Sequence, residues 1–180
     1  MKFEYEKNIT EQDYINFNKF YAMNTEFGKK TNRLTKTIVI VTILLIILLL
    51  FLIGYKVGII GGSILLLATI VTFFRINKII LSSVEKNVKN LKKSGKLPYS
   101  PCSVLEFGEE VFCEIEEKGK LERKYSVIEN VSISNEYETI YIFISSATAV
   151  ILPYSVFKSR EEMFAFIDFI KLKCPKVLYF

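Results

Sequence analysis

The stretch IVIVTILLIILLLFLIGYKVGIIGGSILLLATIVTFF, residues 38–74, decides the architecture of this chain. The chain has 180 residues, of which 51% are hydrophobic, and this one block explains that high share. A single helix rises about 1.5 Å per residue, so the block would be about 55 Å long against a hydrocarbon core of about 30 Å. The block is therefore too long for one membrane span, and the sequence predicts two.

The dividing point lies at GYKVG, which contains Lys56, the only charged residue of the block. A split there leaves residues 38–54 and 57–74, each near the lower length limit for a membrane span. An aromatic ring and a lysine both suit the membrane interface, so Tyr55 and Lys56 are expected in a tight turn. The sequence thus predicts a transmembrane helical hairpin over residues 37–75.

Basic residues flank the hairpin on both sides, whereas the turn carries only Lys56. They are Lys29, Lys30, Arg33 and Lys36 before it, and Arg75, Lys78, Lys86, Lys89, Lys92, Lys93 and Lys96 after it. Because positive charge favours the inner side of a membrane, we expect a multi-pass protein of the cell (inner or plasma) membrane with both termini cytoplasmic. Almost nothing is left outside to sense an extracellular ligand.

Small residues open the second span in GIIGGS, where Gly58 and Gly62 are four positions apart and share a helix face. Such residues let two helix backbones approach closely. They are predicted helix-packing residues, either closing the hairpin on itself or forming a homodimer face. No charged residue lies deep in either span, which disfavours a transporter or channel.

A basic amphipathic helix is predicted over residues 76–96, continuing the second span. Its apolar stripe consists of Ile76, Ile80, Val84, Val88 and Leu91, and Ser94-Gly95 followed by Pro98 marks its end. Two alternatives remain for this helix: its apolar stripe packs on the soluble domain, or the helix rests on anionic lipid headgroups. The candidate lipid-headgroup contacts are Arg75, Lys78, Lys86, Lys89, Lys92 and Lys93.

Residues 97–180 read as a soluble domain of short β-strands that ends in one helix. Runs such as VFCEIE and TIYIF are separated by glycine or polar turn residues. In SREEMFAFIDFIKLKC, Ser159 and Glu162 form a capping box, and Pro175 follows the helix. The apolar stripe of this helix is Met163, Phe166, Ile167 and Ile170.

Residues 1–30 predict a strand in KFEYEK and a helix that Thr10 caps, with Asp13 at its third position. Phe3, Tyr5, Tyr14, Phe17 and Tyr21 are apolar rings that so short a segment cannot bury alone. We therefore expect this segment to dock on the C-terminal domain, with residues 1–8 paired as a strand.

The whole chain resembles the YcxB-like family of small bacterial membrane proteins. The resemblance is carried mostly by VILPYSVFKSREEMFAFIDFIK, where Pro153, Phe157, Glu161 and Glu162 match the pattern of the family. Many members have a tryptophan before VIENVSIS, where this chain has none and Tyr125 lies nearby. The resemblance implies a pleckstrin-homology-like domain, a small antiparallel β-barrel or sheet capped by a C-terminal helix, and no established activity. The predicted fold class is thus an α+β membrane protein.

The charge distribution is uneven along the chain. Residues 1–96 carry 15 Lys/Arg against 6 Asp/Glu, a net charge of +9, whereas residues 97–180 carry 9 against 13, a net charge of −4. The basic charge therefore belongs to the membrane-flanking segments, which favours anionic lipid and argues against nucleic acid. An acidic domain is also expected to be repelled by an anionic membrane surface.

The sequence offers no catalytic or metal-binding motif. It has no histidine, its three cysteines lack CxxC spacing, and no phosphate loop, GxSxG or HExxH is present. Acids cluster between Glu114 and Glu122, but their alternation along a hairpin predicts that they face solvent. We expect no enzyme, no cofactor and no metal.

The predicted function is a membrane-anchored cytoplasmic interaction module that binds a protein at the inner membrane face. Two alternatives remain. The chain could be an accessory or regulatory subunit that joins a larger membrane complex through its hairpin, or a module that binds anionic lipid. The predicted partners are the lipid bilayer and a protein.

Overall fold

The computed structural model of the protein describes residues 3–96, 101–117, 119–174 and 176–180. Its architecture is α+β, as the sequence predicted. The helices are α1 (Glu11–Asn24), α2 (Glu26–Ile53), α3 (Tyr55–Lys93) and α4 (Arg160–Lys173), with 3-10 helices at Tyr125–Val127 and Tyr154–Val156. The strands are β1 (Phe3–Asn8), β2 (Cys102–Phe107), β3 (Val111–Glu116), β4 (Gly119–Lys124), β5 (Asn130–Ser134), β6 (Thr139–Phe143), β7 (Ala149–Pro153) and β8 (Val177–Tyr179).

The chain divides into two compact units. Met1–Phe17 and Val88–Phe180 form one, here called the folded unit, and Asn18–Asn87 form the other, here called the hairpin unit. The predicted first residue of the soluble domain, Leu97, and the predicted helix stop signals Pro98 and Pro175 lie outside the described residues.

Two helices, α2 and α3, are long and apolar enough to cross a membrane, and their apolar parts lie in the hairpin unit. Only Gly54 separates the two helices. The prediction that Tyr55 and Lys56 form a turn between them is therefore wrong, because both residues belong to the first turn of α3. Backbone bonds explain this tight connection. The amide of Gly54 donates to Leu50 O at 3.3 Å, and the amide of Gly58 donates to Gly54 O at 2.8 Å.

Helix α3 runs on past the apolar block to Lys93, which confirms the predicted continuation of the second span. Gly95 ends it with a φ of +68°, a left-handed conformation that glycine adopts without steric cost. The amide of Gly95 donates to Lys92 O and the amide of Lys96 to Leu91 O, both at 3.0 Å. This pair of bonds is a Schellman motif, and it lies at the helix end that Ser94-Gly95 predicted.

The described residues of the folded unit form two four-stranded sheets. The first has the order β1-β2-β3-β4 and is antiparallel throughout, and the second has the order β7-β6-β5-β8. In the first sheet Phe3 lies opposite Phe107 and Asn8 opposite Cys102, so the N-terminal strand pairs with the C-terminal strands as predicted.

The expectation of a closed antiparallel barrel is wrong, and the alternative of open sheets is correct. Among the described residues β4 pairs only with β3, and β8 pairs with β5 in parallel. Strand β4 is exposed along nearly its whole length, and the chain then turns through Tyr125–Val127 toward the second sheet. Tyr125 fixes this corner because its buried ring donates a hydrogen bond from its hydroxyl to Gly108 O at 2.8 Å.

Helix α4 fills the core of the folded unit. Its four predicted stripe residues, Met163, Phe166, Ile167 and Ile170, are all buried. Ser159 Oγ accepts the amide of Glu162 at 3.2 Å, which confirms the cap. The Glu162 carboxylate accepts the amide of Lys158 at 2.7 Å, one residue earlier than the predicted capping box requires.

The first part of helix α1 covers the opposite face of the second sheet. Thr10 and Asp13 cap each other: the amide of Thr10 donates to Asp13 Oδ2 at 2.9 Å and the amide of Asp13 to Thr10 Oγ1 at 3.1 Å. The Phe17 ring lies 5.6 Å from that of Tyr141 and 6.1 Å from that of Phe143. Strand β6 is consequently buried on both faces.

Candidate interaction surfaces

The basic residues of α3 gather on one side of the helix. At 3.6 residues per turn, five of them fall within an arc of about 80°, and the apolar stripe lies on the opposite side. We call this set the cationic face: Arg75, Lys78, Lys86, Lys89 and Lys93, all of which are exposed. Within the stripe, Ile76 and Val88 are buried.

The sixth predicted lipid contact, Lys92, differs from the other five. It lies about 40° outside the arc of the cationic face. Its ammonium group forms an ion pair with Glu11 at 2.5 Å. The acidic residue of α3 nearest to this face, Glu85, has Lys19 Nζ 3.0 Å from its Oε2. All five residues of the cationic face are exposed, so its positive charge lies at the surface.

The predicted packing glycines lie against α2 within the hairpin unit. A Cβ atom added to Gly58 would come within 2.5 Å of the Phe51 side chain, and one added to Gly62 within 3.4 Å of Ile47. Gly61 takes part too, since a Cβ there would lie 2.9 Å from Leu50. This face therefore packs against α2 within the hairpin, and the homodimer alternative stays a prediction.

A groove lies beside α4 in the folded unit and was not foreseen from the sequence. Its volume is about 730 Å³, and its floor includes Phe157, Met163 and Ile167. Phe164 lines it as well and is 58% exposed, although α4 is otherwise the core helix. We call it the α4 groove. Arg160 and Glu138 also line it, so the groove combines apolar walls with charged groups.

A buried ionic cluster occupies one end of the inner face of the first sheet. Lys7 Nζ lies 2.7 Å from Glu114 Oε1, and Arg123 Nη1 lies 3.6 Å from Glu114 Oε2. Ser103 Oγ lies 3.4 Å from the same carboxylate. The side chains of Lys7 and Glu114 are only 7% and 14% exposed. The prediction that this acidic run faces solvent is therefore wrong for Glu114, although Glu117 and Glu122 are exposed.

Two sequence signals could have revealed this cluster. Lys7 follows Phe3 and Tyr5 on the same face of β1, and Glu114 follows Phe112 on the same face of β3. A charged residue in an inward-facing position needs a partner of opposite charge. Their pairing depends on which strands adjoin, and only the structure gives this.

Burial shifts the pKa of several titratable groups packed in the folded unit. Burial raises the pKa of the Cys174 thiol to about 11, so it stays protonated near neutral pH. Burial also raises the pKa of Tyr5, whose hydroxyl has no hydrogen-bond partner in the described part of the chain. Among the described residues, no three His, Cys, Asp or Glu side chains are grouped so as to hold a metal ion.

Comparison of the chain with protein-family models, curated proteins and solved structures finds no match. The resemblance to the YcxB-like family therefore stays a prediction. The residues that carry it have structural places: Pro153 ends β7, Glu162 lies in the first turn of α4, and the Phe157 ring packs 4.8 Å from that of Tyr5.

Proposed function

We propose that the protein is a two-span protein of the cell membrane, and that its folded unit is a cytoplasmic module that binds a protein partner at the inner membrane face. The exposed surface of the hairpin supports the membrane assignment. Large apolar residues such as Leu44, Leu52, Leu67 and Phe74 are exposed along α2 and α3. So large an apolar surface requires cover, which lipid chains provide.

The proposed topology predicts opposite locations for the turn and the C-terminus. A reporter enzyme that is active only on the non-cytoplasmic side of the membrane should be inactive when fused after Phe180. The reason is that the basic residues flanking the hairpin favour a cytoplasmic C-terminus. The matched control is the same reporter inserted after Lys56, which should be active. Activity at both positions, or at Phe180 alone, would contradict the topology.

The α4 groove is the observation that carries the proposed binding function. Protein interfaces centre on apolar pockets that accept a few anchoring side chains, with polar groups around them. The groove has this composition, with Phe157 and Met163 inside it and Arg160 and Glu138 also in its lining. The exposed ring of Phe164 adds a phenylalanine at the groove, a residue type enriched in the cores of protein interfaces.

Substitution of Phe164 tests the groove directly. We expect Phe164→Glu to weaken partner binding by about 2 kcal/mol or more, about thirtyfold in Kd, since it places a charge against an apolar pocket. The measurement is co-purification from membranes in mild detergent with quantitative identification of the retained proteins. Leu172→Glu is the control, because Leu172 is 86% exposed on the same helix and does not line the groove. An identical set and amount of retained proteins in both variants would argue against the groove.

A second candidate function is contact with anionic lipid, and the cationic face favours it. Each basic residue near an anionic leaflet contributes about 1 kcal/mol of attraction. Arg75 and Lys78, the first charges of this face after the apolar block, are exposed, so both can engage the headgroup layer beside it. This contact would add to the anchorage that the hairpin supplies and would leave the α4 groove to the protein partner.

A further inference from the structure

Five residues just beyond the apolar block line a surface groove on α3. They are Arg75, Lys78, Ile79, Ser82 and Ser83, and the groove has a volume of about 350 Å³. From one turn of the helix to the next these residues are three or four positions apart, so they lie on consecutive turns of the same helix side. All five are exposed. The groove therefore presents two cations, two hydroxyls and one apolar side chain to a single ligand.

The polar groups of this groove have no partner within the described residues. Arg75 and Lys78 form no ion pair there, and no carboxylate lines the groove. Elsewhere on α3, the hydroxyls of Ser63, Thr69 and Thr72 donate to the carbonyl one turn back. The hydroxyls of Ser82 and Ser83 make no such bond in the described structure, so four donor groups remain available for an anion.

The position of the groove along α3 fits the headgroup layer of a membrane. Phe73 and Phe74 are the last residues of the apolar block and are exposed, and Arg75 is the first charge after them. At about 1.5 Å per residue, Lys78 lies about 4.5 Å beyond Arg75 and Ser83 about 12 Å beyond it. The polar layer of each leaflet is about 5–8 Å thick. Arg75 and Lys78 can thus reach lipid phosphates, whereas Ser82 and Ser83 lie just beyond this layer, where only the outermost part of a headgroup meets them.

We propose that this groove is a binding site for one anionic phospholipid, whose phosphate lies between Arg75 and Lys78 and whose headgroup contacts Ser82 and Ser83. A guanidinium and an ammonium group can both donate charge-assisted hydrogen bonds to the oxygens of a phosphate diester. The exposed phenylalanines next to the site suit the acyl chains, which a free phosphate ion lacks. The proposal rests on the membrane location proposed above and specifies where lipid is recognised. Residues 75–83 form the binding site, and the other residues of the cationic face contribute little to lipid affinity.

Two double variants with equal loss of charge separate a defined site from diffuse attraction. Arg75→Gln/Lys78→Gln removes the phosphate contacts, and Lys86→Gln/Lys93→Gln removes two charges from the same helix side outside the groove. The measurement is native mass spectrometry of the full-length protein in detergent, titrated with phosphatidylglycerol or phosphatidylcholine. We expect one phosphatidylglycerol bound with at least about tenfold preference over phosphatidylcholine.

The first double variant should lower phosphatidylglycerol affinity by about tenfold to thirtyfold, and the second by less than about twofold. Ser82→Ala/Ser83→Ala should lower the preference for phosphatidylglycerol by about threefold. Equal losses in the two charge variants, or no loss in the first, would overturn the site. Displacement of the lipid by inorganic phosphate would overturn the phospholipid assignment. Reporter activity at the C-terminus would instead refute the topology. Unaltered partner retention by Phe164→Glu would refute the partner-binding module. Failure of the lipid site is therefore distinguishable from failure of the proposed function.

Discussion

Replacement of Phe166 by alanine is expected to lower the free energy of unfolding of the folded unit by about 3–5 kcal/mol. Phe166 is completely buried in α4. Its ring lies 5.5 Å from the rings of Phe3 and Tyr5 on β1 and 4.8 Å from that of Phe107 on β2. Truncation would leave a cavity where the C-terminal helix meets the N-terminal strand, so both ends of the folded unit would lose packing at once.

Urea unfolding of the full-length protein in detergent, followed by near-ultraviolet circular dichroism, measures this loss. All tyrosines among the described residues except Tyr21 and Tyr55 belong to the folded unit, so the aromatic signal reports mainly on it. Phe164→Ala is the matched control, because the same chemical change two positions earlier affects a side chain that is 58% exposed. We expect its effect to stay within about 0.5 kcal/mol. A comparable loss in both variants would show that Phe166 is not the centre of this core.

The dependence of this core on both chain ends was predictable from residue patterning. The helical spacing of Met163 and Phe166 and the alternation of Phe3 and Tyr5 each identify an inward face. The rings of the N-terminal segment are too few to form a core of their own, which leaves the C-terminal domain as their nearest cover. Periodicity fixes which side of an element is buried, and this information is local to the sequence.

Sheet closure was not predictable in this way. Whether β4 pairs with another strand depends on the direction in which the chain leaves it, and that direction is set by the hydrogen bond from Tyr125 to Gly108 O, 17 positions apart. The same limit applies to the connection at Gly54. A tight turn was evident from composition, but a single residue sufficed because its own amide and carbonyl complete the hydrogen bonding of both helices.

The candidate surfaces also differ in whether a local sequence pattern predicts them. The cationic face follows from the helical spacing of the basic residues of α3, so its residues could be listed in advance. The α4 groove is formed by residues from β5, the 3-10 helix Tyr154–Val156, α4 and β8, which are distant in sequence. No local pattern brings these elements together. Surfaces on one helix are therefore readable from sequence, and surfaces between elements are not.

The ionic cluster of the first sheet leads to the second large expected effect. Glu114→Ala should lower the free energy of unfolding of the folded unit by about 3–5 kcal/mol, because it leaves a buried cation without its counter-charge. The side chain of Lys7 is only 7% exposed, and its ammonium group lies 2.7 Å from the Glu114 carboxylate. Arg123, at 3.6 Å and 19% exposed, would lose the same partner. The change therefore removes one negative charge from among two positive ones.

A second substitution distinguishes the loss of an ion pair from a simple loss of packing. Combining Glu114→Ala with Lys7→Met removes the buried ammonium group while keeping an apolar side chain of similar length, so about half of the lost stability should return. Glu117→Ala, an exposed acidic position three residues along the chain, should change stability by less than about 0.5 kcal/mol. Urea unfolding of the four proteins supplies the comparison. If the double variant is no more stable than Glu114→Ala alone, the uncompensated charge of Lys7 is not the cause, and the carboxylate must act mainly through Arg123 and Ser103.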